Sequence, residues 1–258
     1  MCVGSKGDVA TMTTLCFANC KGGTAKSTSV AAMAQAMAHL GKSVLVIDLA
    51  PQGNASFFLG ADTNKRGSYD LITGERHPQF VTQHIGGIDV IPAGHSLLTL
   101  TPSNGSARRL QNAIAPLKKK YDYILIDTPP TTGELQFNGI QASDSIFISL
   151  LADVPSMQGL YLINDIANKF KASNRGLSIA GAVICNYDGR SGLVKNVEAM
   201  IKDKLKLLNI PFMGTVRRAV AIQEAQAFQQ SLYDYAPNSK PAQDYLEIAK
   251  MIIAKEGN

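Results

Sequence analysis

The chain has 258 residues, of which 45% are hydrophobic and 17% are charged, and its formal net charge is +5 at pH 7. This composition is typical of a globular protein with one large α/β domain or two small ones. The sequence contains neither an apolar run of about 18 residues that could span a membrane nor a basic-then-apolar secretion signal. We therefore expect a cytoplasmic protein with no membrane partner.

Charge and cysteine content constrain the partners less sharply. The isoelectric point near 9.0 permits an anionic partner such as DNA without requiring one. The four cysteines, at positions 2, 16, 20 and 185, have neither a CxxC spacing nor a zinc-binding spacing. We therefore expect reduced thiols.

Strands and helices are predicted to alternate along the chain. Residues 1–13 lack periodicity and are predicted to be a loose lead-in, and a strand at 14–19 and an alanine-rich helix at 26–39 follow. Further strands are predicted at 43–48, 88–91, 123–127, 145–150, 178–185 and 211–216, and helical patterns occur at 106–118, 155–171, 193–207, 220–229 and 240–255. The irregular segment 60–105 is expected at a sheet edge. This order predicts an α/β fold with a doubly wound, mainly parallel sheet flanked by helices, in a single domain over residues 14–258.

Residues 20–28, between the first strand and the first helix, have the composition of a phosphate-binding loop. The adjacent Gly22 and Gly23 allow the loop to turn with its amide hydrogens pointing inward, and the helix that follows adds the positive end of its dipole. Lys26 supplies a cation, and Ser27 supplies a hydroxyl that can ligate Mg²⁺. For this loop taken alone, a chance glycine-rich turn is the alternative.

Two aspartates strengthen the phosphate interpretation. Asp48 and Asp127 each end an apolar strand, where a buried carboxylate is costly unless something pairs with it. Ligands gather at the carboxyl ends of the strands in an open parallel sheet, and Mg²⁺ on nucleotide phosphates is a suitable partner for both carboxylates. A single such aspartate could be a capping or surface residue, but two of them beside a lysine-bearing loop predict a nucleotide site.

Three segments together resemble the ParA/Soj partition ATPases, which carry a deviant phosphate loop of the form K-G-G-x-G-K-[ST]. The segments are KGGTAKST at 21–28, VLVIDLAPQGNA at 44–55 and YDYILIDTPP at 121–130, and the likeness covers residues 14 to about 255. The resemblance implies a deviant P-loop ATPase that dimerises when ATP and Mg²⁺ bind.

The resemblance also implies roles for individual residues. Lys21 would reach across the dimer interface to the partner's phosphates, while Lys26 would hold the β- and γ-phosphates and Thr28 would contact the α-phosphate. Ser27, Asp48 and Asp127 would hold the metal, the two carboxylates mostly through water. The implied nucleotide-contacting set is Lys21, Gly22, Gly23, Thr24, Ala25, Lys26, Ser27, Thr28, Asn186 and Arg218. Asn186 would bond the adenine, with a turn role as the alternative.

Two positions depart from the family pattern. The family normally has D-x-D-P-Q-G-N, and its second aspartate is needed for hydrolysis, but this chain has Ala50 there. Because a methyl group can neither orient water nor accept its proton, we expect ATP binding and dimerisation with very slow hydrolysis. An engineered substitution that traps the ATP state is the favoured explanation, and a naturally degenerate switch is the other. Ala25 replaces a glycine and would cost about 1 kcal/mol if the loop needs a positive φ there.

The resemblance further implies that the ATP dimer binds DNA without sequence preference, in a nucleoid-associated state, and that a ParB-like partner stimulates hydrolysis during plasmid or chromosome partition. The candidate DNA-binding residues are Arg190, Arg217, Arg218, Lys195 and Lys202. The exact set stays open because Arg217 replaces a family proline and Ala221 a family arginine. For each arginine, a surface role or a nucleotide contact is an equal alternative.

Other functions remain open at this point. A relative with the same fold could position a protein cargo, and a metabolic deviant P-loop enzyme, such as a kinase or an amidoligase, would use the same loop. The nitrogenase iron-protein branch is disfavoured because no suitable cysteine pair follows the strands. The apolar residues of the last helix are expected to pack on the sheet rather than to form a membrane-targeting tail.

Overall fold

Within the residues that the computed structural model describes, 12–103, 105–117 and 120–256, eight strands form one sheet. The strands are β1 Thr13–Phe17, β2 Val44–Asp48, β3 Gln83–Ile85, β4 Ile88–Ile91, β5 Tyr123–Asp127, β6 Ser145–Leu151, β7 Ser178–Tyr187 and β8 Phe212–Arg217. Their spatial order is β3-β4-β2-β5-β1-β6-β7-β8. All neighbouring pairs are parallel except β3 and β4, which are antiparallel. The predicted fold class is confirmed.

Helices connect the strands and cover both faces of the sheet. They are α1 Lys26–His39, α2 Asn54–Phe58, α3 Ser68–Thr73, α4 Arg109–Ile114, α5 Glu134–Gln141, α6 Val154–Phe170, α7 Gly192–Leu207, α8 Val220–Ala227, α9 Leu232–Tyr235 and α10 Lys240–Glu256. Short 3₁₀ turns occupy 78–80, 95–99, 106–108 and 115–117.

Several predicted boundaries were wrong. The first strand ends at Phe17 rather than at residue 19, because Asn19 turns the chain by accepting a bond from the Lys21 amide. β7 runs two residues further than predicted because Tyr187 pairs with Arg217 of β8. The predicted helix at 106–118 is a six-residue helix between 3₁₀ turns, and Pro116 lies in the second turn.

Some predictions fall on parts of the chain outside the described residues. The lead-in at 1–13 lies there up to residue 11, although its last residue, Thr13, begins β1. Lys118 and Lys119 also lie outside, whereas Lys120, which ends the same lysine run, is 3.7 Å from Asp89. The single-domain description of residues 14–258 stays a prediction, and the continuous sheet supports it.

Alternating side chains of the central strands enter two different cores. Phe17 points to the face covered by α1 and α10, whereas Cys16 points to the face covered by α5, α6 and α7. A strand buried on both faces has a continuous apolar sequence, which is why β1, β2 and β5 show no alternation of polar and apolar residues. The sheet faces are therefore closed, and its carboxyl edge is left for a ligand.

The last helix packs on the sheet, as expected. Tyr245, Ile248, Ala249 and Ile252 of α10 are buried in the same core as α1. Across the described ranges, we find no helix with both the length and the apolar character needed to cross a membrane.

The edge of the sheet opposite β8 is formed by the antiparallel pair β3–β4. This pair lies within the irregular segment 60–105, which confirms the predicted edge position of that segment.

Candidate functional site

The register of the sheet brings the predicted site residues together. In the parallel pair β2–β5, Asp48 lies directly opposite Asp127, and on the other side of β5, Asp127 lies opposite Phe17 of β1. The phosphate-loop segment leaves β1 at this same edge because the three strands run in parallel. Two aspartates 79 positions apart in sequence thus become neighbours beside the loop.

The loop between β1 and α1 adopts a left-handed conformation at two positions. Gly23 has φ 74° and Ala25, directly before the first helical residue, has φ 62°. Ala25 therefore has the positive φ that makes alanine unfavourable, since a residue with a Cβ costs about 1–2 kcal/mol in this region. The loop keeps its conformation although alanine stands where the family has glycine.

Lys26 begins α1 and is 93% buried, since its exposed fraction is 7%. Burial lowers the pKa of its ammonium, while the nearby Asp127 opposes that shift. The next residue, Ser27, donates its hydroxyl to Asp127 Oδ2 at 2.5 Å. The lysine and serine of the loop are thus directed to the buried carboxylate rather than to solvent.

Asp48 is fully buried, and donors occupy both of its oxygens. Its Oδ1 accepts from the Ala50 amide at 2.9 Å, and its Oδ2 accepts from the Ser56 amide at 2.9 Å and the Ser56 hydroxyl at 2.7 Å. Burial still raises the pKa of Asp48 to about 6, although these bonds oppose the shift. With both oxygens engaged, Asp48 could hold a metal only through water, and this role stays a prediction.

Asp127 differs because one of its oxygens has no partner. It is fully buried and Oδ1 accepts no hydrogen bond. Burial, together with the charge of Asp48, raises the pKa of Asp127 to about 8. A divalent cation would relieve both the unpartnered oxygen and the repulsion between the two carboxylates.

The residues present fit Mg²⁺ bound together with phosphates rather than a metal held by protein alone. Within the described ranges, no group of three or more His, Cys, Asp and Glu side chains could hold a metal ion. Mg²⁺ commonly uses one or two carboxylates and takes its remaining ligands from water and substrate phosphates. Ser27 and Asp127, with Asp48 beside Asp127 in the sheet, would supply the protein share of such a site.

A cavity of about 610 Å³ opens over the loop, within the usual range for small-molecule sites. All residues from Gly22 to Thr28 line it, as do Asn186 and Arg218. Its remaining wall includes Ala50, Gln52, Asn54, Phe58, Thr128, Pro130, Cys185, Gln223, Gln226 and Tyr245. Nine of the ten residues of the predicted nucleotide-contacting set therefore line one cavity, and the exception is Lys21.

Lys21 points instead to a residue that the sequence reasoning missed. Its ammonium forms an ion pair with the carboxylate of Asp153, which also caps α6 by accepting from the Ser156 amide at 2.9 Å. Partial burial tends to raise the pKa of Asp153, but the bonds from Lys21 and Ser156 lower it overall. The Asp-Val-Pro-Ser sequence at 153–156 carries an N-cap signal, but no local pattern indicates the partner of its carboxylate.

Asn186 lies within β7 rather than in a turn, and its contact with the adenine stays a prediction. It lines the cavity and also has φ 53°, in the left-handed region that asparagine tolerates. Behind it, the Ser29 hydroxyl lies 3.0 Å from the Tyr245 hydroxyl and 3.4 Å from the Cys185 thiol. The inner wall of the cavity is thus built from α1, β7 and α10 together.

The candidate DNA-binding residues do not share one environment. Arg190 is paired with Asp188 at 2.5 Å, Lys202 with Glu198 at 2.6 Å and Arg217 with Asp244 at 2.6 Å. The side chains of Lys195 and Arg218 form no ion pair with any residue that the structure describes. Lys195 and Lys202 lie on α7, whereas Arg217 and Arg218 line the cavity.

Two family models match the chain. A model described as an AAA domain matches residues 12–179. A second model, described as 4Fe-4S iron sulfur cluster binding proteins of the NifH/frxC family, matches residues 138–258. That second segment contains one cysteine, Cys185, which is buried.

Sequence relatives cover nearly the whole chain. It is 31% identical to the sporulation initiation inhibitor protein Soj of Bacillus subtilis, over 93% of this chain and 98% of that protein. It is 33% identical to the chromosome-partitioning ATPase Soj of Treponema pallidum, over 95% of this chain and 98% of that protein. Among solved structures, cobyrinic acid a,c-diamide synthase from Mycobacterium smegmatis with bound ADP and magnesium has a TM-score of 0.81 and 26% identity, over 96% of this chain and 97% of that chain. The chain therefore belongs to the ParA/Soj family of chromosome-partitioning P-loop ATPases.

Proposed function

We propose that this protein binds ATP and Mg²⁺ in the cavity above the loop, dimerises around the nucleotide, and in that state binds DNA as a partition switch. The observation that carries the proposal is the cavity lined by Gly22 to Thr28, in which Ser27 bonds the buried carboxylate of Asp127, itself directly opposite Asp48 in the sheet.

The chain's own residues would bind the phosphates by fixed charge and geometry. The loop amides and the positive end of the α1 dipole face the cavity, and Lys26 adds a largely buried ammonium. Bound Mg²⁺ would neutralise phosphate charge and complete the coordination begun by Ser27 and Asp127. Because Asp48 is held by Ala50 and Ser56, this part of the site is organised before any ligand arrives.

Dimerisation would follow from Lys21. Its ammonium lies outside the cavity of its own protomer and is paired with Asp153. In a dimer, Lys21 would exchange this carboxylate for a phosphate in the partner's site, so that association and nucleotide binding become one event. A cation supplied from a second chain is a known means of making phosphoryl transfer depend on association.

Hydrolysis by this chain is expected to be very slow. Ala50 lines the cavity, and its amide is bonded to Asp48, so the position is fixed in the cavity wall. Gln52 and Asn54 line the same wall, but a neutral amide cannot accept a proton from water. The wall thus presents groups that can bind and orient, with a methyl group where the family carries its second aspartate.

DNA binding in the ATP dimer, nucleoid association in the cytoplasm and stimulation by a ParB-like partner complete the proposal. Lys195 is the strongest candidate for DNA-phosphate contacts because it forms no ion pair within the described part of the chain. Arg218 also forms none there, but it lines the nucleotide cavity. Arg190 would first have to leave the partly exposed carboxylate of Asp188, which costs little, whereas Lys202 and Arg217 are paired with better-buried carboxylates. Contacts made to phosphates alone would give strong salt dependence and no sequence preference.

The test combines sedimentation with DNA retention. The purified protein should be monomeric without nucleotide, dimeric with ATP and Mg²⁺, and retained on a DNA filter in the dimeric condition, with retention falling as salt rises. ADP provides the matched nucleotide control. A protein that retains DNA equally with no nucleotide, or that stays monomeric with ATP, would contradict the proposal.

A metabolic function is the second candidate, because the structural relative at 26% identity carries the name of an amide-forming synthase. The two Soj relatives at 31% and 33% identity favour partition instead. Turnover of ATP that depends on a small carboxylic acid and an amide donor, and not on DNA, would favour the synthase. A protein cargo in place of DNA would give ATP-dependent dimers without DNA retention.

A further inference from the structure

Asn19 is a buried polar side chain at the start of the loop that the proposed function does not use. It is fully buried, and its carboxamide makes two bonds in opposite directions. Its Nδ2 donates to the Ser149 carbonyl of β6 at 2.6 Å, and its Oδ1 accepts from the backbone amide of Lys21 at 3.0 Å. The amide of Lys21 is therefore tied through one side chain to the centre of the sheet.

Helix α6 lies directly against this carboxamide. A Cβ atom built on Gly159 would come within 2.7 Å of Asn19 Oδ1, a distance that no ordinary contact reaches. Glycine in the middle of a helix is unfavourable by about 1 kcal/mol relative to alanine, so its presence there has a packing reason. Gly159 lets α6 approach closely enough to confine the Asn19 carboxamide between the helix and β6.

The same helix also holds the other end of Lys21. Asp153, which caps α6, binds the Lys21 ammonium, while Gly159, six residues further along α6, confines the side chain that binds the Lys21 amide. Lys21 is therefore held at two points, its side-chain ammonium and its backbone amide, by interactions of different strength. The ammonium is held by a partly exposed ion pair, which is easily exchanged, whereas the amide donates to the fully buried side chain of Asn19, which cannot move away.

We propose that Asn19 is a positioning residue for Lys21, and that it fixes the lysine backbone so that only the ammonium moves when a second protomer offers a phosphate. This inference rests on the proposed function, because it concerns the step in which Lys21 serves the partner's site. With the backbone of Lys21 fixed, dimerisation requires only the Lys21 side chain to change conformation and be ordered. Without Asn19, the start of the loop would also have to be ordered, and association would weaken.

The test separates nucleotide binding from dimerisation. Asn19→Ala should weaken ATP-dependent dimerisation in sedimentation velocity by about tenfold, as expected for the loss of one buried, positioning hydrogen bond. The affinity for a fluorescent ATP analogue with Mg²⁺, measured at a concentration where the protein is monomeric, should change by less than about threefold. A variant that lost both properties equally would show a general loop defect and would overturn the inference, as would a variant that lost neither.

Gly159→Ala provides an independent test of the role of Asn19. It keeps Asn19, but the added Cβ would displace the Asn19 carboxamide. It should reproduce the dimerisation defect, whereas Gly192→Ala, at the start of α7 where an added Cβ meets nothing within 4 Å, should have none. If Asn19→Ala fails to fold, Gly159→Ala decides the question alone. Normal dimerisation of Gly159→Ala would overturn the inference.

A double-variant cycle tests whether Asn19 acts through Lys21. In a Lys21→Ala background the ammonium is gone, so Asn19→Ala should add no further loss of dimerisation. Additive losses would show that Asn19 acts elsewhere and would overturn the inference. If the unsubstituted protein binds no ATP or forms no dimer, the proposed function is contradicted and this inference with it. If the unsubstituted protein dimerises with ATP and the variants dimerise equally well, only this inference is contradicted.

Discussion

Lys21 and Asp153, 132 positions apart in sequence, form an ion pair that joins the phosphate loop to the first turn of α6. The side chains are 28% and 36% exposed, respectively. An ion pair at this degree of exposure contributes at most about 1 kcal/mol, so it holds Lys21 without trapping it. Within one protomer the pair keeps the ammonium away from the cavity, and the lysine is available for exchange.

Replacing Asp153 with asparagine should favour the dimer. Asparagine caps a helix as well as aspartate does but carries no charge, so α6 should keep its start while Lys21 loses its ionic partner. The dimer dissociation constant with ATP should fall by about two- to fivefold, which analytical ultracentrifugation can measure. Lys21→Ala is the control and should weaken ATP-dependent dimers, because the cation supplied to the partner's site is lost. Weaker dimers of Asp153→Asn would show that Asp153 instead supports Lys21 in the associated state.

Ala50→Asp should restore hydrolysis. A carboxylate at this position can orient the attacking water or accept its proton, effects that contribute about 10²–10⁴-fold to rate. ATPase activity measured with DNA and a partition partner should rise by at least about 100-fold. Ala50→Asn is the control, because asparagine has nearly the same shape as aspartate but cannot accept a proton. Unchanged turnover in Ala50→Asp would mean that position 50 has no part in hydrolysis.

Ala25→Gly should stabilise the protein, in contrast to the usual effect of glycine. Ala25 has φ 62°, and removing its Cβ relieves left-handed strain that exceeds the extra unfolded-state entropy of glycine. The free energy of unfolding should rise by up to about 1 kcal/mol in urea titrations. The matched control is Ala38→Gly, inside α1, which should lose about 1 kcal/mol. A loss of stability in both variants would remove the strain argument.

Arg217→Ala should affect stability more than DNA binding. The guanidinium contacts both oxygens of Asp244 at 2.6–3.0 Å and so ties β8 to α10. Because the arginine side chain is 41% exposed, the expected loss is limited to about 1 kcal/mol of unfolding free energy. Chemical denaturation measures it. A variant of unchanged stability that no longer retains DNA would instead place Arg217 in the DNA interface.

Lys195→Ala, in contrast to Arg217→Ala, should weaken DNA binding without affecting stability. Lys195 lies on the exposed side of α7 and forms no ion pair with any residue that the structure describes, so its removal should leave stability unchanged. DNA affinity in the ATP state should fall for all sequences alike, and the slope of log affinity against log salt should decrease by about one. Filter binding at several salt concentrations provides the measurement. An unaltered slope would exclude Lys195 from phosphate contact.

The sequence was most informative where chemistry is local. The phosphate loop is one short segment, and a buried strand ending in aspartate is visible from residues 44–48 or 123–127 alone. Parallel strands then bring such ends to one edge, so the juxtaposition of Asp48 and Asp127 follows from the order of strands and helices along the chain. For position 25 the sequence established only a condition, that alanine would be strained if the loop needs a positive φ there, and the structure supplies the angle.

Contacts between distant segments could not be predicted. The residues around Asp153 indicate a helix cap, and nothing near it in sequence identifies Lys21 as its partner. Arg217 is one of two adjacent cations in the sequence, and only the fold places Asp244 beside it. Such pairings depend on how closely helices pack on the sheet, which is set by single residues such as Gly159 whose role emerges only from the assembled fold.

Tyr245 of α10 completes the inner wall of the cavity, and its hydroxyl bonds to Ser29, 216 positions earlier in the chain. During synthesis the amino-terminal loop leaves the ribosome long before the helix that seals its pocket. A growing chain therefore lacks this part of the cavity wall until α10 has emerged, so that the proposed nucleotide site is finished only after α10 has been synthesised.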